Sequence, residues 1–346
     1  MKHLFWLVLL LLCPLTIQAQ TFSPDGTHLL TSARNANGQV ALAIITLDGK
    51  NVEILPDSVE ATIGVWSPNG KQILFLDKAR RAMLYTLEKK TAQMLAEGIE
   101  APLTWREDGK AFAGIKVTLE KDGTPTRELC RFDIEGYPMG RTSVSDLSIE
   151  PRYPLHWIAG TDEVALFARH REEANAYLTD ANSLRRISTS HDLHGLGAIA
   201  GGKQLLWARR GMNLRYILMT LYRFNTTIST VERLTFPERL TPLNPNPRTA
   251  PESLGQVAFN GDGSFLLLTV TIKVNGKEVL RLYSTKGDGT GTRLLHEFTT
   301  PPKKVPSFPA RFSPDGRRVV WEEGESLFQC DVEGTNKTKI PLPLAP

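Results

Sequence analysis

The chain has 346 residues, with 41 Lys and Arg against 37 Asp and Glu, a net charge of +4. That balance excludes a strongly basic nucleic-acid tail and argues against a dedicated DNA binder. Hydrophobic residues make up 41%, enough for a substantial core, and three cysteines exclude a disulfide scaffold.

Residues 1–20 read MKHLFWLVLLLLCPLTIQAQ. Lys2 precedes the apolar run from Leu4 to Leu12, and a short polar stretch ends at Ala19. This layout predicts a secretory signal peptide over 1–19, a mature domain over 20–346, and a periplasmic or secreted location. The run is shorter than the roughly 20 residues of a membrane span, and no later segment is long enough. Lipidation of Cys13 is disfavoured, because Leu12 stands where a small residue is expected and Pro14 follows.

One short phrase then recurs: an aromatic, a small polar residue, Pro or a substitute, Asp or Asn, then Gly, then an apolar run. It occurs as Phe22-Ser23-Pro24-Asp25-Gly26, Trp66-Ser67-Pro68-Asn69-Gly70, Trp105-Arg106-Glu107-Asp108-Gly109, Phe259-Asn260-Gly261-Asp262-Gly263 and Phe312-Ser313-Pro314-Asp315-Gly316. Two degenerate copies fill the middle, at His156-Trp157-Ile158-Ala159-Gly160 and Ala198-Ile199-Ala200-Gly201-Gly202. Pro presets φ, and Asp-Gly or Asn-Gly supplies the positive φ of a tight hairpin. The runs that follow, such as Gln72 to Leu76 and Arg318 to Trp321, are β-formers apolar on both faces. Each copy continues into a third strand, a second turn such as Asp48-Gly49 or Glu333-Gly334, and a fourth strand. Four short strands per repeat is the signature of a β-propeller blade. Seven copies after Ala19 give about 47 residues each. The predicted fold is all-β, a propeller of seven four-stranded blades, with six blades and one large insertion as the alternative. Cys130 and Cys330 fall in third strands of blades three and seven, which predicts two buried free thiols. With both chain ends at a blade boundary, the first and last blades are expected to pack face to face.

The recurring phrase resembles the WD40-like PD40 repeat of TolB-type periplasmic β-propellers. Similar blades form the propeller domains of prolyl oligopeptidases and dipeptidyl peptidases. The resemblance covers the chain from about Thr21 to Ile340 and implies a fold rather than an activity. TolB carries an α/β domain before its propeller, whereas here the first blade follows the expected cleavage site. No TolB functional residue is carried over, because only the blade motif matches.

The rest of the chain holds little catalytic chemistry. There is no G-x-S-x-G elbow, H-E-x-x-H, P-loop, EF-hand loop, C-x-x-C pair or sialidase Asp-box. His191-Asp192-Leu193-His194 could meet a metal in a curled loop, but two His do not fill a site. Two proline-rich segments, 236–251 and 300–309, read as extended connections between blades, and 341–346 as a frayed tail. The sequons at Asn225 and Asn336 read as chance matches.

The loops after each second strand are rich in cations, among them Arg34, Lys78, Arg80, Arg81, Arg169, Arg171, Arg209, Arg210, Lys273 and Lys277. Asp77, Glu322 and Glu323 interrupt them. Arg80, Arg81, Arg169, Arg171, Arg209 and Arg210 are the candidate binding residues for an anionic partner. Arg169 and Arg209 align after the pairs Phe167-Ala168 and Trp207-Ala208, with Asp77 and Glu323 at the same place in blades two and seven. That position is expected to face the channel mouth. The functional expectation is a non-catalytic protein- or ligand-binding scaffold in the bacterial cell envelope, monomeric, with no cofactor and no nucleic-acid partner. The alternative is a hydrolase or lyase acting at the mouth of the channel.

Overall fold

The computed structural model describes residues 21–61, 63–149, 154–171, 173–188, 193–199, 202–213, 216–234, 253–298, 310–323 and 326–340. The expected signal peptide, both proline-rich segments, His191-Asp192 and the tail lie outside the described residues. Among those described there is no helix, so none long and apolar enough to cross a membrane.

Seven antiparallel sheets follow one another along the chain, each ordered from its first strand to its last. Blade one runs from Thr21–Phe22 to Val52–Ile54, blade two from Ile63–Trp66 to Thr91–Ala96, and blade three from Ile99–Trp105 to Pro138–Ser143. Blade four has a split inner strand, Ser148–Ile149 and His156–Trp157, and ends at Leu184–Arg186. Blade five spans Leu193–Ile199 to Thr230–Leu234, blade six Ser253–Phe259 to Arg293–Glu297, and blade seven Ala310–Phe312 to Thr338–Ile340. Seven blades, not six, form the ring.

The recurring phrase builds the inner hairpin of each blade. In blade one Ser23 Oγ donates to Asp25 Oδ1 (2.6 Å), while His28 N–H donates to Ser23 Oγ (2.9 Å) and Thr27 N–H to Asp25 Oδ1 (3.0 Å). Blade two repeats this with Ser67 and Asn69, and blade seven with Ser313 and Asp315. In blade six Asn260 takes the Ser role, its Oδ1 accepting from Phe265 N–H at 2.9 Å. Gly26 closes the turn at φ 71°, which a side chain would strain. The pairing after the turn is the same in every blade. Phe22 faces Leu29, Trp66 faces Ile73, Trp105 faces Phe112, Trp157 faces Val164, Ala198 faces Leu205, Phe259 faces Leu266 and Phe312 faces Val319. The two degenerate copies are therefore true blade starts.

Hydrogen bonds also link one hairpin to the next. Trp66 Nε1 donates to the carbonyl of Thr21 (3.1 Å), and Trp105 Nε1 to that of Val65 (3.3 Å). Each acceptor immediately precedes the aromatic of the preceding blade. The core is not one mass but seven apolar clusters, one in each interface between successive blades. The interface between blades seven and one holds Phe22, Leu29, Ile45, Val320, Leu327 and Ile340. Arg318 Nη2 adds a bond to the Gly26 carbonyl at 3.1 Å. Among the described residues the ring thus closes by face-to-face packing, with no strand exchanged between first and last blades.

Arg131 crosses the interface of blades three and four while only 2% exposed. It donates to the Asp162 carbonyl (2.9 Å), the Thr179 carbonyl (2.7 Å) and Thr179 Oγ1 (2.9 Å). Burial pulls its pKa down, yet an arginine stays charged at neutral pH. Cys130 and Cys330 are buried free thiols in third strands, and burial raises both, Cys330 to about 11.

Two outcomes follow from these contacts. Arg131→Met strands buried carbonyls and should cost about 3 kcal/mol in urea denaturation. The hairpin carboxylates set the acid response. Asp25 is held at about 2, first by Ser23 Oγ–H and then by Thr27 N–H, and Asp108, Asp262 and Asp315 are also lowered. A folded value below the unfolded one means stability present above about pH 4 and lost as pH falls through the folded value. Asp25→Asn keeps the hairpin bond, as Asn69 does in blade two, and removes one titrating group. Its stability should therefore fall less steeply between about pH 5 and about pH 2, followed by circular dichroism.

Candidate functional site

The turns between second and third strands gather on one face of the ring, opposite the inner hairpins. They differ in height. In blade two the strands are Gln72–Leu76 and Ala82–Thr86, whereas in blades five and six they are Gln204–Asn213 with Tyr216–Asn225 and Phe265–Val274 with Lys277–Lys286. Aligned on the inner hairpins, the second strands of blades five and six run five residues beyond Leu76, roughly 17 Å. The face therefore has high walls on one side and a low rim on the other.

The candidate cations divide on this face. Arg80, at φ 61° in the blade-two turn, reaches Glu100 of blade three at 2.7 Å. Arg81 pairs at 2.6 Å with Asp77, which is 4% exposed and also accepts from Ala79 and Arg81 N–H. Lys78 meets Glu60 at 3.5 Å, and Arg34 caps the Gly38 carbonyl at 2.9 Å. These groups brace blades one to three. Arg169, Arg171 and Arg209 are exposed on the rim of blades four and five. The side chain of Arg210 lies outside the described residues.

The register corrects the alignment of Arg169 with Arg209. Val164 and Leu205 occupy one position, as each faces the residue at the place of the hairpin aromatic, Trp157 and Ala198. The match of Arg209 is therefore Ala168, not Arg169, and Asp77 and Glu323 share that position. One residue in a strand changes the face a side chain takes. Arg169 pairs with Ala174, which is buried toward blade five, and Arg209 pairs with Leu193, which is buried toward blade four. Residues directly opposite in antiparallel strands share a face. Arg169 and Arg209 thus project from opposite walls toward one cleft, between blades four and five. Below them lie Phe167, Ala174, Leu178, Ile187, Leu193 and Trp207. Nor does this position open on the channel mouth: it belongs to second strands, and Glu323 turns to His296 of blade six (2.9 Å).

The inner edge of the ring is marked by a different position, one residue before each hairpin aromatic. It holds Thr21, Val65, Thr104, His156, Gly197, Ala258 and Arg311, each paired to an equivalent second-strand residue. Arg311 is half-buried and donates to the Ala310 carbonyl at 2.9 Å; burial pushes its guanidinium down to about 10. Sequence reasoning passed over His156 and Arg311, although the phrase itself marks their place. Among the described residues no three His, Cys, Asp or Glu stand together as a metal-holding group.

No family model matches the chain, and no curated protein matches it. Solved structures do. An oligogalacturonate lyase in complex with manganese superposes with a TM-score of 0.66 at 14% identity, covering 89% of this chain and 85% of that one. An oligogalacturonate lyase from Vibrio parahaemolyticus gives 0.67 at 16%, covering 89% and 86%. The propeller domain of the trilobed protease from Pyrococcus furiosus, described as having an open velcro topology, gives 0.56 at 15%, covering 94% of both. The chain is a seven-bladed β-propeller. At these identities the likeness carries the fold, and the unexchanged closure of blades one and seven agrees with it.

The two blade-two arginines should respond differently to removal. Arg80→Ser breaks an exposed pair and should cost below about 1 kcal/mol. Arg81→Ser leaves the buried Asp77 carboxylate without its cation and should cost about 1–3 kcal/mol in the same denaturation series.

Proposed function

We propose that this propeller is a non-catalytic binding scaffold of the bacterial cell envelope. It takes an anionic ligand at the cleft between blades four and five. The observation that carries this reading is the convergence of Arg169 and Arg209 on one cleft, with Arg171 beside them on the rim. Guanidinium groups suit carboxylates, because their planar fork donates two parallel hydrogen bonds. The tall second strand of blade five, Gln204–Asn213, forms one wall of the cleft. Export is supported by the basic residue, apolar run and small residue of positions 1–19. Rigid blades carrying variable loops suit recognition.

A second reading is a lyase acting on an acidic saccharide. It is favoured by the two oligogalacturonate lyases among the structural neighbours, which align over most of both chains. Both readings call for an anionic ligand, and one experiment separates them. The chain from Gln20 onward is titrated calorimetrically with an oligogalacturonate and with an acidic peptide, at low and moderate salt. A parallel reaction is watched for the ultraviolet absorbance of an unsaturated uronate. Binding that weakens with salt, and at least about tenfold in an Arg169→Ser/Arg209→Ser variant, supports the scaffold. Appearance of unsaturated product moves the assignment to the lyase. No binding of either anion overturns the cleft as the site.

A further inference from the structure

A second cluster, two blades further round the ring, plays no part in the anion site. It lies between blades six and seven. His296, on the outer strand of blade six, has Nε2 2.9 Å from Glu323 Oε2 and Nδ1 2.8 Å from Lys337 Nζ. An ammonium can only donate, so Nδ1 accepts and the ring proton sits on Nε2, directed at the carboxylate. Three aromatic rings hold the imidazole: Phe298 edge-on at 4.8 Å, Trp321 at 5.2 Å and Phe328 at 6.0 Å. The imidazole is 10% exposed and Glu323 18%, whereas Lys337 is open to solvent, its nitrogen 5.1 Å above Trp321. Burial first, then the Lys337 charge, holds His296 below the usual histidine range, against the pull of Glu323 and Glu297. The imidazole is therefore neutral at pH 7, and the Lys337 charge that opposes its protonation disappears as Lys337 gives up its own proton.

An exposed amine, a neutral imidazole in contact with it, and a carboxylate orienting that imidazole stand in the order of an activated nucleophile. We propose that Lys337 is a modification site, acylated by an activated acyl donor such as an acyl phosphate or thioester, with His296 as general base and Glu323 as positioning residue. The ammonium passes one proton to His296 Nδ1, and the freed amine attacks the acyl carbon. The new N–C bond replaces the C–O or C–S bond to the leaving group. The second amine proton goes to solvent, and the imidazolium returns its proton to the departing phosphate or thiolate. The product amide carries no charge, so the Lys337 cation is lost from both Trp321 and His296.

The test uses the whole folded protein, acetyl phosphate and a small acetyl thioester, with sites and rates read by peptide mass spectrometry. Lys50, which pairs with Asp48 (3.3 Å), and Lys339 serve as internal references. Lys337 should react at least about tenfold faster than either. His296→Gln should bring it to their rate, and Glu323→Gln should fall between. In the wild-type protein the rate advantage of Lys337 should disappear as pH falls below the histidine range, a readout that needs no variant to fold. A wild-type Lys337 rate equal to that of Lys50, or an advantage indifferent to both His296→Gln and pH, overturns the proposal and leaves an ion-pair network bracing two blades.

Discussion

Register at the inner hairpin is the constraint on which the ring depends. Ser23 and Asp25, or their counterparts, tie the turn to the first residue of the second strand, so the pairing after it cannot slide. Because side chains alternate, that single tie decides which residues of a whole blade face the preceding blade and which face the next. Leu205 and Trp207 turn toward blade four and Ala208 toward blade six for this reason alone. A slip of one residue would exchange the two faces and put the polar ends of the strands into the apolar interfaces. The indole bonds from Trp66 and Trp105 carry the same registration from one blade to the next.

Closure without a shared strand places a further demand on side chains. Among the described residues no backbone ladder joins blade seven to blade one, and that interface holds through buried area together with the Arg318 bond to Gly26. The residues there are aliphatic and aromatic on both sides, including Val320 and Ile340 against Leu29 and Ile45. Burying one such side chain is worth about 1.5–3 kcal/mol, and several together can replace the bonds that a strand exchange would provide. The interface between blades three and four reaches a similar end differently, with Arg131 satisfied by carbonyls that are otherwise buried.

The architecture was legible in the sequence because the signal was local. A turn phrase of five residues followed by an apolar run is visible wherever it occurs, and seven occurrences leave little choice of fold. The candidate site was legible only in part. Residue type picked out Arg169 and Arg209, but their equivalence failed, because blade five lacks the hairpin aromatic that anchors the count and has a bulge between His194 and Leu196. Arg80 and Arg81 looked alike in sequence, yet Arg80 braces the next blade through Glu100 and Arg81 sits on a buried aspartate in its own turn. The Lys337, His296 and Glu323 cluster had no sequence signal, since its members come from three strands or turns in two blades.

The clefts between blades suggest where this fold can vary. Each is sealed below by an apolar cluster that must be kept, so change is cheap only at the rim. Rims at blades one and two, and at two and three, are occupied by opposite charges, Lys78 with Glu60 and Arg80 with Glu100. Such exposed pairs add little stability, below about 1 kcal/mol, and leave no net field. At blades four and five the register brings two cations toward one cleft. Like charges there gain nothing from each other, and on the proposed reading their place on the rim serves an incoming anion. At blades six and seven a carboxylate, an imidazole and an amine are arranged in line, a geometry suited to moving a proton rather than attracting a charge. The difference lies in rim residues alone, so substitutions at Arg169, Arg209 and Lys337 should alter binding or reactivity while the apolar clusters beneath keep the blades in place.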